Sequence, residues 1–405
     1  MATPEDFIDT FYDSICDLHS VRKSLDTEYS AGLIKILQRA AKDISKHTGK
    51  FLHQLQEKKP DEDTLQTMIS ASPSSLNYKN NKAQLPIQLA IYNHHTIPYI
   101  PLLAKEGVKH KVGGEGKRGG LLVIDPVNKD GFHTLQLLVN LKYNDNPLRD
   151  QYDKACLDAM KELTEANLLI KDDIKNHHLL YHACRSQGST RFDFLCDWCP
   201  EGMKDYQYKN LPIIHALIKY GPIEAFAIFL KAATKHHEKE VGLLFQTDSD
   251  GITACERAFD EYGKKEIMQI IGNCISFDDP RIPILHHVVK HSPKLLNDFS
   301  IRYTSAAYLK DSDGCNLDQA MLASGNKTFE NDGIYFLRAL SDDQVREIDP
   351  ATDLYPCMVA ASGETSDLSA VYVLLRRNPS LVRGDKIGRK RRSKRRIGAK
   401  RSRHK

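Results

Sequence analysis

Apolar residues recur at helical spacing along most of the chain, and Asp349 to Val382 shows the pattern most completely. Pro356 can open a short helix, because its missing N–H would have no intrahelical acceptor there, and Ser362-Gly363 ends it. A second helix from Leu368 to Arg376 has one broad apolar face, formed by Leu368, Val371, Tyr372, Leu374 and Leu375. Neither helix can bury its apolar face alone, so the pattern predicts stacked copies of a helix pair.

The same unit recurs upstream, where a small residue or its equivalent marks each first helix. Eight anchors can be placed: Ala90, Leu138, Ala183, Ala216, Ala258, His287, Ala320 and Ala360. The predicted second helices are Ile97–Leu103, Ala155–Leu169, Arg191–Trp198, Ile223–Leu230, Lys264–Ile271, one beginning at Pro293, and Asp332–Leu340. Because the spacing of the anchors is irregular, loops of different lengths are expected between the repeats.

Turns rich in Asn, Asp and Gly precede several first helices and predict projecting fingers. They are Asn80-Asn81-Lys82, Lys129-Asp130-Gly131, Asp248-Ser249-Asp250-Gly251, Asp278-Asp279-Pro280-Arg281 and Asp311-Ser312-Asp313-Gly314. Glycine also lies five residues after four anchors, at Gly188, Gly221, Gly263 and Gly325. This placement predicts left-handed C-terminal caps on the first helices.

Residues 5 to 57 form helices in this reading but lack the repeat core. An apolar stripe includes Phe7, Phe11, Ile15, Leu18, Val21 and Leu25. A break is expected around Tyr29 to Gly32, followed by a second helix from Leu33 to Leu55. The segment is interpreted as a helical cap on the stack, and a coiled-coil dimer is the alternative.

The first helices carry a recognisable core. Tyr355-Pro356-Cys357-Met358-Val359-Ala360 and Leu85-Pro86-Ile87-Gln88-Leu89-Ala90 correspond to the pattern T-P-L-H-x-A, and Thr253 to Ala258 keeps its Thr and Ala. From about Asp61 to Val382 the chain therefore resembles the ankyrin-repeat superfamily. It is most similar to expanded, divergent ankyrin-like families of unicellular algae. The resemblance implies a protein-binding scaffold and carries over no catalytic residues.

Composition adds a few limits to this interpretation. Hydrophobic residues make up 41% of the chain and charged residues 27%, as in a folded soluble protein. No apolar run approaches the ~20 residues of a membrane span, and the acidic N-terminus is unlike a secretory signal. The nine cysteines are odd in number and scattered, which predicts reduced thiols in an intracellular protein.

The net charge of +4 hides a strong asymmetry. Arg383 to Lys405 contains 13 of the 57 Lys and Arg residues and one of the 53 acids, so the tail carries +12 and the rest −8. Such a segment is expected to be disordered, and its charge density predicts nuclear import or contact with nucleic acid. The targeting residues are Arg389, Lys390, Arg391, Arg392, Lys394, Arg395 and Arg396.

Three kinds of motif resemble a phosphate-binding loop, a calcium-binding loop and a zinc or redox site, but their spacing argues against these functions. Gly113 to Gly120 has Arg118 where a phosphate loop needs Ser or Thr, and the Asp248 and Asp311 turns lack the remaining ligands of a calcium loop. Cys196 and Cys199 form a lone CxxC without a second pair. We therefore expect no catalytic site, no cofactor and no metal.

The sequence thus predicts an all-α protein with three parts. Residues 1–58 form the cap, residues 59–382 form an α-solenoid of about eight irregular ankyrin-like repeats, and residues 383–405 form a disordered basic tail. A monomer is expected to bind an unidentified protein on the concave face of the stack, and the nucleus is the favoured location. A nucleic-acid-associated protein is the alternative function. The predicted partner-binding residues are Tyr92, Tyr143, Lys219, Tyr220, Glu261, Tyr262 and His291.

Overall fold

The computed structural model describes residues 27–141, 148–186, 189–276, 282–311, 313–324, 342–350, 352–362, 366 and 368–381. The chain divides into two compact units, Met1–Ile228 and Phe229–Lys405. The described residues are mostly helical, which confirms the predicted all-α class. Several predicted features lie outside the described residues: the apolar stripe from Phe7 to Leu25, Tyr143, Gly188, the Asp278–Arg281 turn, Gly325, Asp332–Leu340 and the basic tail.

The first unit is built from short helices, with turns of 3-10 helix at Pro73–Asn77, Ile97–Tyr99 and Arg118–Gly120. Its α-helices are Thr27–Leu52, Leu55–Lys58, Glu62–Ala71, Pro86–Ala90, Ile100–Lys109, Thr134–Asn140, Arg149–Glu165, Lys171–Asn176, Leu179–Arg185, Ser189–Trp198, Glu201–Asp205 and Ile213–Tyr220. Strands Gln207–Tyr208 and Leu211–Pro212 pair as an antiparallel hairpin. Helix Ile223–His236 contains the boundary between the units.

The second unit continues with helix pairs and with 3-10 turns at Glu238–Leu243, Pro293–Leu295, Thr304–Tyr308 and Pro379–Leu381. Its other α-helices are Ala254–Tyr262, Lys264–Cys274, Ile284–His291, Leu296–Ser300, Leu317–Ala323, Asp342–Arg346, Pro356–Ala361 and Leu368–Arg377. Its core includes the fully buried side chains of Phe229, Phe299 and Tyr303.

Helices of like position pack in series within each unit. In the first unit, Leu179–Arg185 packs between Thr134–Asn140 and Ile213–Tyr220. Behind this row, Arg149–Glu165 packs against both Ile100–Lys109 and Ser189–Trp198. In the second unit, Leu317–Ala323 likewise packs against Ile284–His291 and Pro356–Ala361. Leu179–Arg185 and Leu317–Ala323 therefore each pack between two other short helices.

The predicted second helices in the described part are present, most of them longer than predicted. One prediction was wrong at the N-terminal side, because helix Thr27–Leu52 runs without a break through Tyr29 to Gly32. A single glycine costs a helix only about 1 kcal/mol, which a helix of this length can absorb.

The last described helix faces differently from the prediction. Ala370 and Leu374 are its buried residues, whereas Leu368 is 83% exposed and Tyr372 is 65% exposed. The helix packs on Pro356–Ala361 and Asp342–Arg346, and its sequence alone could not show that these neighbours cover only one side of the broad apolar face.

The glycine caps have two different causes. Gly263 ends helix Ala254–Tyr262 with φ 89° and ψ 147°, so a positive φ favours glycine there, but the backbone is not that of the predicted left-handed cap. Gly221 instead has extended backbone, with φ −102° and ψ 169°. A Cβ at Gly221 would lie 2.7 Å from the Leu217 carbonyl oxygen, so close backbone approach requires glycine there, and the predicted left-handed cap was wrong.

Candidate partner-binding surface

Four turns before first helices share one geometry, and they begin at Asn80, Asn128, Asp248 and Asp311. In each turn the side-chain Oδ1 accepts the N–H groups two and four residues later, and the backbone carbonyl accepts the N–H three residues later. The residue three positions on has positive φ and is glycine except at Ala83. The helix begins six residues after the Asn or Asp each time. We call these four turns the fingers.

A glutamine or glutamate caps the helix after each finger. The side chains of Gln88, Gln136, Glu256 and Gln319 accept the N–H of the N-cap residue, at Leu85, His133, Thr253 and Asn316 respectively. This interaction satisfies a backbone donor that a helix N-terminus leaves without a partner. The repeated placement means that finger and helix form one local unit.

The three glutamines also bond the following copy of the unit. The Gln88 Nε2 donates to the Val123 and Ile124 carbonyls, both at 3.0 Å. The Gln136 amide donates to the His177 carbonyl at 3.3 Å, and the Gln319 amide donates to the Glu347 carbonyl at 3.2 Å. The Glu256 carboxylate has no N–H to donate. In this copy the hydroxyl of the N-cap residue, Thr253, contacts Ser292 Oγ at 2.7 Å instead.

The caps correct the predicted register of some repeats. Five anchors lie at the fifth residue of their helix: Ala90, Leu138, Ala183, Ala258 and Ala360. Three lie at the fourth: Ala216, His287 and Ala320. Because Asn316 and Gln319 correspond to Thr253 and Glu256, Met321 is the equivalent of Ala258. Met321 is buried, whereas Ala320 is only partly buried. The prediction of Ala320 as the anchor, made because alanine is small, was therefore wrong by one residue.

Tyr92, a predicted partner-binding residue, is tied to a neighbouring loop. The residue is 39% exposed, but its hydroxyl donates to Asp125 Oδ2 at 2.6 Å. The Gln84 amide also donates to Asp125, and burial together with this carboxylate raises the pKa of Tyr92 well above its usual value. Tyr92 therefore joins two copies of the repeat and is still partly exposed.

Lys219 and Tyr220, also predicted, lie together in an aromatic cluster of the first unit. The Lys219 Nζ is 5.4 Å from the centre of the Tyr220 ring, and the Lys209 Nζ is 4.5 Å from it. The Tyr208 ring meets Tyr220 edge-on and stacks on Tyr181, with ring centres 3.8 Å apart. We call Tyr181, Tyr208, Lys209, Lys219 and Tyr220 the tyrosine–lysine patch.

The hairpin that supplies Tyr208 and Lys209 was missed by the sequence reasoning. Its two turn residues, Lys209 and Asn210, have φ of 52° and 63°, the conformation of a tight hairpin turn. Asn between the β-compatible residues Tyr208 and Leu211 was the available signal, because Asn tolerates positive φ well. The turn places the Lys209 ammonium over the two tyrosine rings.

The remaining predicted residues belong to the second unit. Glu261 and His291 are exposed, and Tyr262 is partly buried. The His291 ring stacks on His287 at 6.1 Å between ring centres. Burial lowers the pKa of His287 to about 4, so this imidazole is neutral at physiological pH. The structure thus unites Lys219 with Tyr220, and Tyr143 lies outside the described residues.

The motifs considered for other chemistry have structural partners. Arg118 of the glycine-rich loop pairs with Asp173 and donates to the Leu168 carbonyl. Arg257 forms salt bridges with Asp248 and Asp250, the carboxylates of the finger that resembled a calcium loop. Cys196 and Cys199 are both buried. Among the described residues, no group of three His, Cys, Asp or Glu side chains is placed to hold a metal ion.

Comparison with known proteins does not add a relative. No family model matches the chain, and no curated protein matches it. None of the helices in the described ranges is both long enough and apolar enough to cross a membrane.

Proposed function

We propose that the chain is a divergent ankyrin-like solenoid, capped by residues 1–58, that binds a protein partner through its fingers and first helices. The observation that carries this proposal is the finger that recurs with the same Asx turn, the same six-residue step to the helix and the same capping side chain. Ankyrin units have this order of turn, short helix and longer helix. Repeats of this kind present finger and helix surfaces to other proteins.

The protonation of two buried thiols supports a binding function and not thiol catalysis at these positions. Burial raises the pKa of Cys156 to about 12 and that of Cys255 well above its usual value. A thiol needs its ionised form to act as a nucleophile, so these side chains serve the core. Lys209, Lys219 and Tyr220 are exposed side chains that lie together, and tyrosine is enriched in protein interfaces.

The test is affinity capture by the intact chain from its source cells. We expect a variant with Lys219→Glu and Tyr220→Ser to lose captured proteins that the intact chain retains. The matched control is Tyr308→Ser, because Tyr308 is an exposed tyrosine of the second unit at 70% exposure. Circular dichroism establishes first that every variant is folded. An unchanged set of captured proteins in the double variant would argue against this surface.

For the tail we propose nuclear import through Arg389, Lys390, Arg391, Arg392, Lys394, Arg395 and Arg396. Clusters of this charge density suit acidic grooves of import receptors. Fusing residues 383–405 to an inert reporter tests the proposal, and nuclear accumulation is expected. The nucleic-acid alternative predicts binding that weakens steeply with added salt, since phosphate contacts release counterions.

A further inference from the structure

The two lysines of the tyrosine–lysine patch and the adjacent Arg185 have no acidic partner in the described part of the chain. Lys209 and Lys219 are exposed beside Tyr220. Arg185 is exposed next to Tyr181 and acts to lower the pKa of that tyrosine against the effect of burial. Some other exposed cations of the first unit are paired, as Lys171 is with Glu201 and Lys111 is with Glu115. The patch therefore carries positive charge that its own surroundings leave uncompensated.

The aromatic rings position this charge without neutralising it. Both ammonium nitrogens lie close to the Tyr220 ring, at 4.5 and 5.4 Å from its centre, so they share one ring as a neighbour. A ring attracts a cation through its quadrupole and accepts none of its N–H bonds strongly. Each lysine keeps three donors, and the patch thus offers several charge-assisted hydrogen bonds to an anion.

The ring faces argue against nucleic acid as the occupant. Single-stranded nucleic acid is held mainly by bases that stack on open aromatic faces. One face of the Tyr208 ring is covered by Tyr181, which lies parallel to it at 10°. The Tyr220 ring has two ammonium groups nearby, and Lys209 is only 4.5 Å from its centre. What remains accessible is the set of ammonium and guanidinium donors, which suits carboxylates.

We propose that the tyrosine–lysine patch, together with Arg185, docks an Asp- and Glu-rich segment of the protein partner. This inference rests on the proposed binding function and adds the chemistry of the ligand. The carboxylates bond Lys209 and Lys219, and the exposed edge of Tyr220 supplies apolar contact. The paired strands of the hairpin set the backbone position of Lys209 beside Tyr220, so the loop is already formed before binding.

The binding experiment uses the full chain and a short fluorescent glutamate-rich peptide. We expect the variant with Lys209→Gln and Lys219→Gln to bind the peptide about tenfold more weakly at low salt. The control is Lys82→Gln, which removes an exposed lysine from the finger that begins at Asn80, outside the patch, and should leave the affinity unchanged. The basic tail has the same sequence in all three proteins, so it contributes equally to each measurement.

A second measurement locates the peptide. Carbodiimide couples a lysine amine directly to a carboxylate in contact with it, and mass spectrometry identifies the lysines. Preferential coupling at Lys209 and Lys219 over Lys82 is expected. Equal coupling of all exposed lysines, or an unchanged affinity of the double variant, would overturn the proposal.

Other peptides and a nucleic acid complete the design. A peptide with Gln in place of Glu should not bind the patch. Tighter binding of a phosphoserine peptide, or of an oligothymidine, with loss in the same double variant would replace the acidic peptide with that ligand. If the glutamate peptide fails while Lys219→Glu with Tyr220→Ser still loses captured proteins, the binding scaffold stands and only the acidic chemistry is wrong.

Discussion

Two buried carboxylates, one in each unit, have opposite surroundings. Asp125 of the first unit is fully buried and accepts hydrogen bonds from the Gln84 amide, the Tyr92 hydroxyl and the Val127 N–H. Asp318 of the second unit is also fully buried, and neither of its oxygens has a hydrogen-bond partner in the described chain. A buried aspartate therefore stabilises the first unit, whereas a buried aspartate destabilises the second.

The position of Asp318 in the repeat explains the cost. It is the second residue of its first helix, where the other finger-bearing copies and the last repeat have Ile87, Leu135, Cys255 and Cys357. Those side chains are buried apolar groups or thiols. Burial, with smaller contributions from Glu347 and Asp349, raises the pKa of Asp318 to about 6 from 3.8, although nearby N–H groups oppose the rise. A buried carboxyl without partners favours its neutral form.

The largest expected effect is that of Asp125→Ala. The substitution leaves the Gln84 amide, the Tyr92 hydroxyl and the Val127 N–H without their acceptor, so it should destabilise the first unit by about 3–5 kcal/mol. The chain has a single tryptophan, and Trp198 lies in this unit, so its fluorescence during urea unfolding reports the change. The control is Asp130→Ala, at the exposed tip of the nearby finger that begins at Asn128. Equal effects of the two would show that the buried network contributes little.

In contrast to Asp125→Ala, the substitution Asp318→Asn is expected to increase stability. It should stabilise the second unit by about 2–3 kcal/mol at pH 7. The folded protein retains the Asp318 proton up to about pH 6, whereas the unfolded chain loses it near 3.8. Stability therefore falls as the pH rises between these values, and the variant should lack this dependence.

Hydrogen exchange of the amides in helix Leu317–Ala323 measures the change at pH 4 and pH 7. At pH 4 the variant and the natural protein should exchange at similar rates, after correction for the intrinsic pH dependence. Asp313→Asn is the control, because Asp313 is exposed in the same finger. A stabilisation that is the same at both pH values would show that the charge of Asp318 is not its cause.

The smallest effect is predicted for Tyr92→Phe, at about 1 kcal/mol. Only the hydroxyl bond to Asp125 is lost, and the Gln84 and Val127 donors remain. Trp198 fluorescence again reports the stability, with Tyr220→Phe as a control that removes an exposed hydroxyl. If Tyr92→Phe lowers partner capture without changing stability, Tyr92 belongs to the binding surface and its link to Asp125 is incidental.

The sequence by itself determined the all-α class, most helices and the sites of the fingers. These features depend on local chemistry: the period of apolar residues, the Asn and Asp side chains that close a turn, and proline at the start of a helix. It also identified Lys219 and Tyr220 as residues at the end of a first helix. The ankyrin-like interpretation and the function of the basic tail stay predictions.

Only the tertiary structure decided which side of a broad apolar face is covered, as Leu368 and Tyr372 illustrate. It also decided that the Tyr92 hydroxyl reaches Asp125 and that Tyr181, Tyr208 and Tyr220 meet around Lys209. These contacts join residues that are distant in the chain. A residue's own neighbours in sequence set its backbone conformation, but packing between repeats selects the side chains that it meets, and therefore whether a buried carboxylate finds a donor.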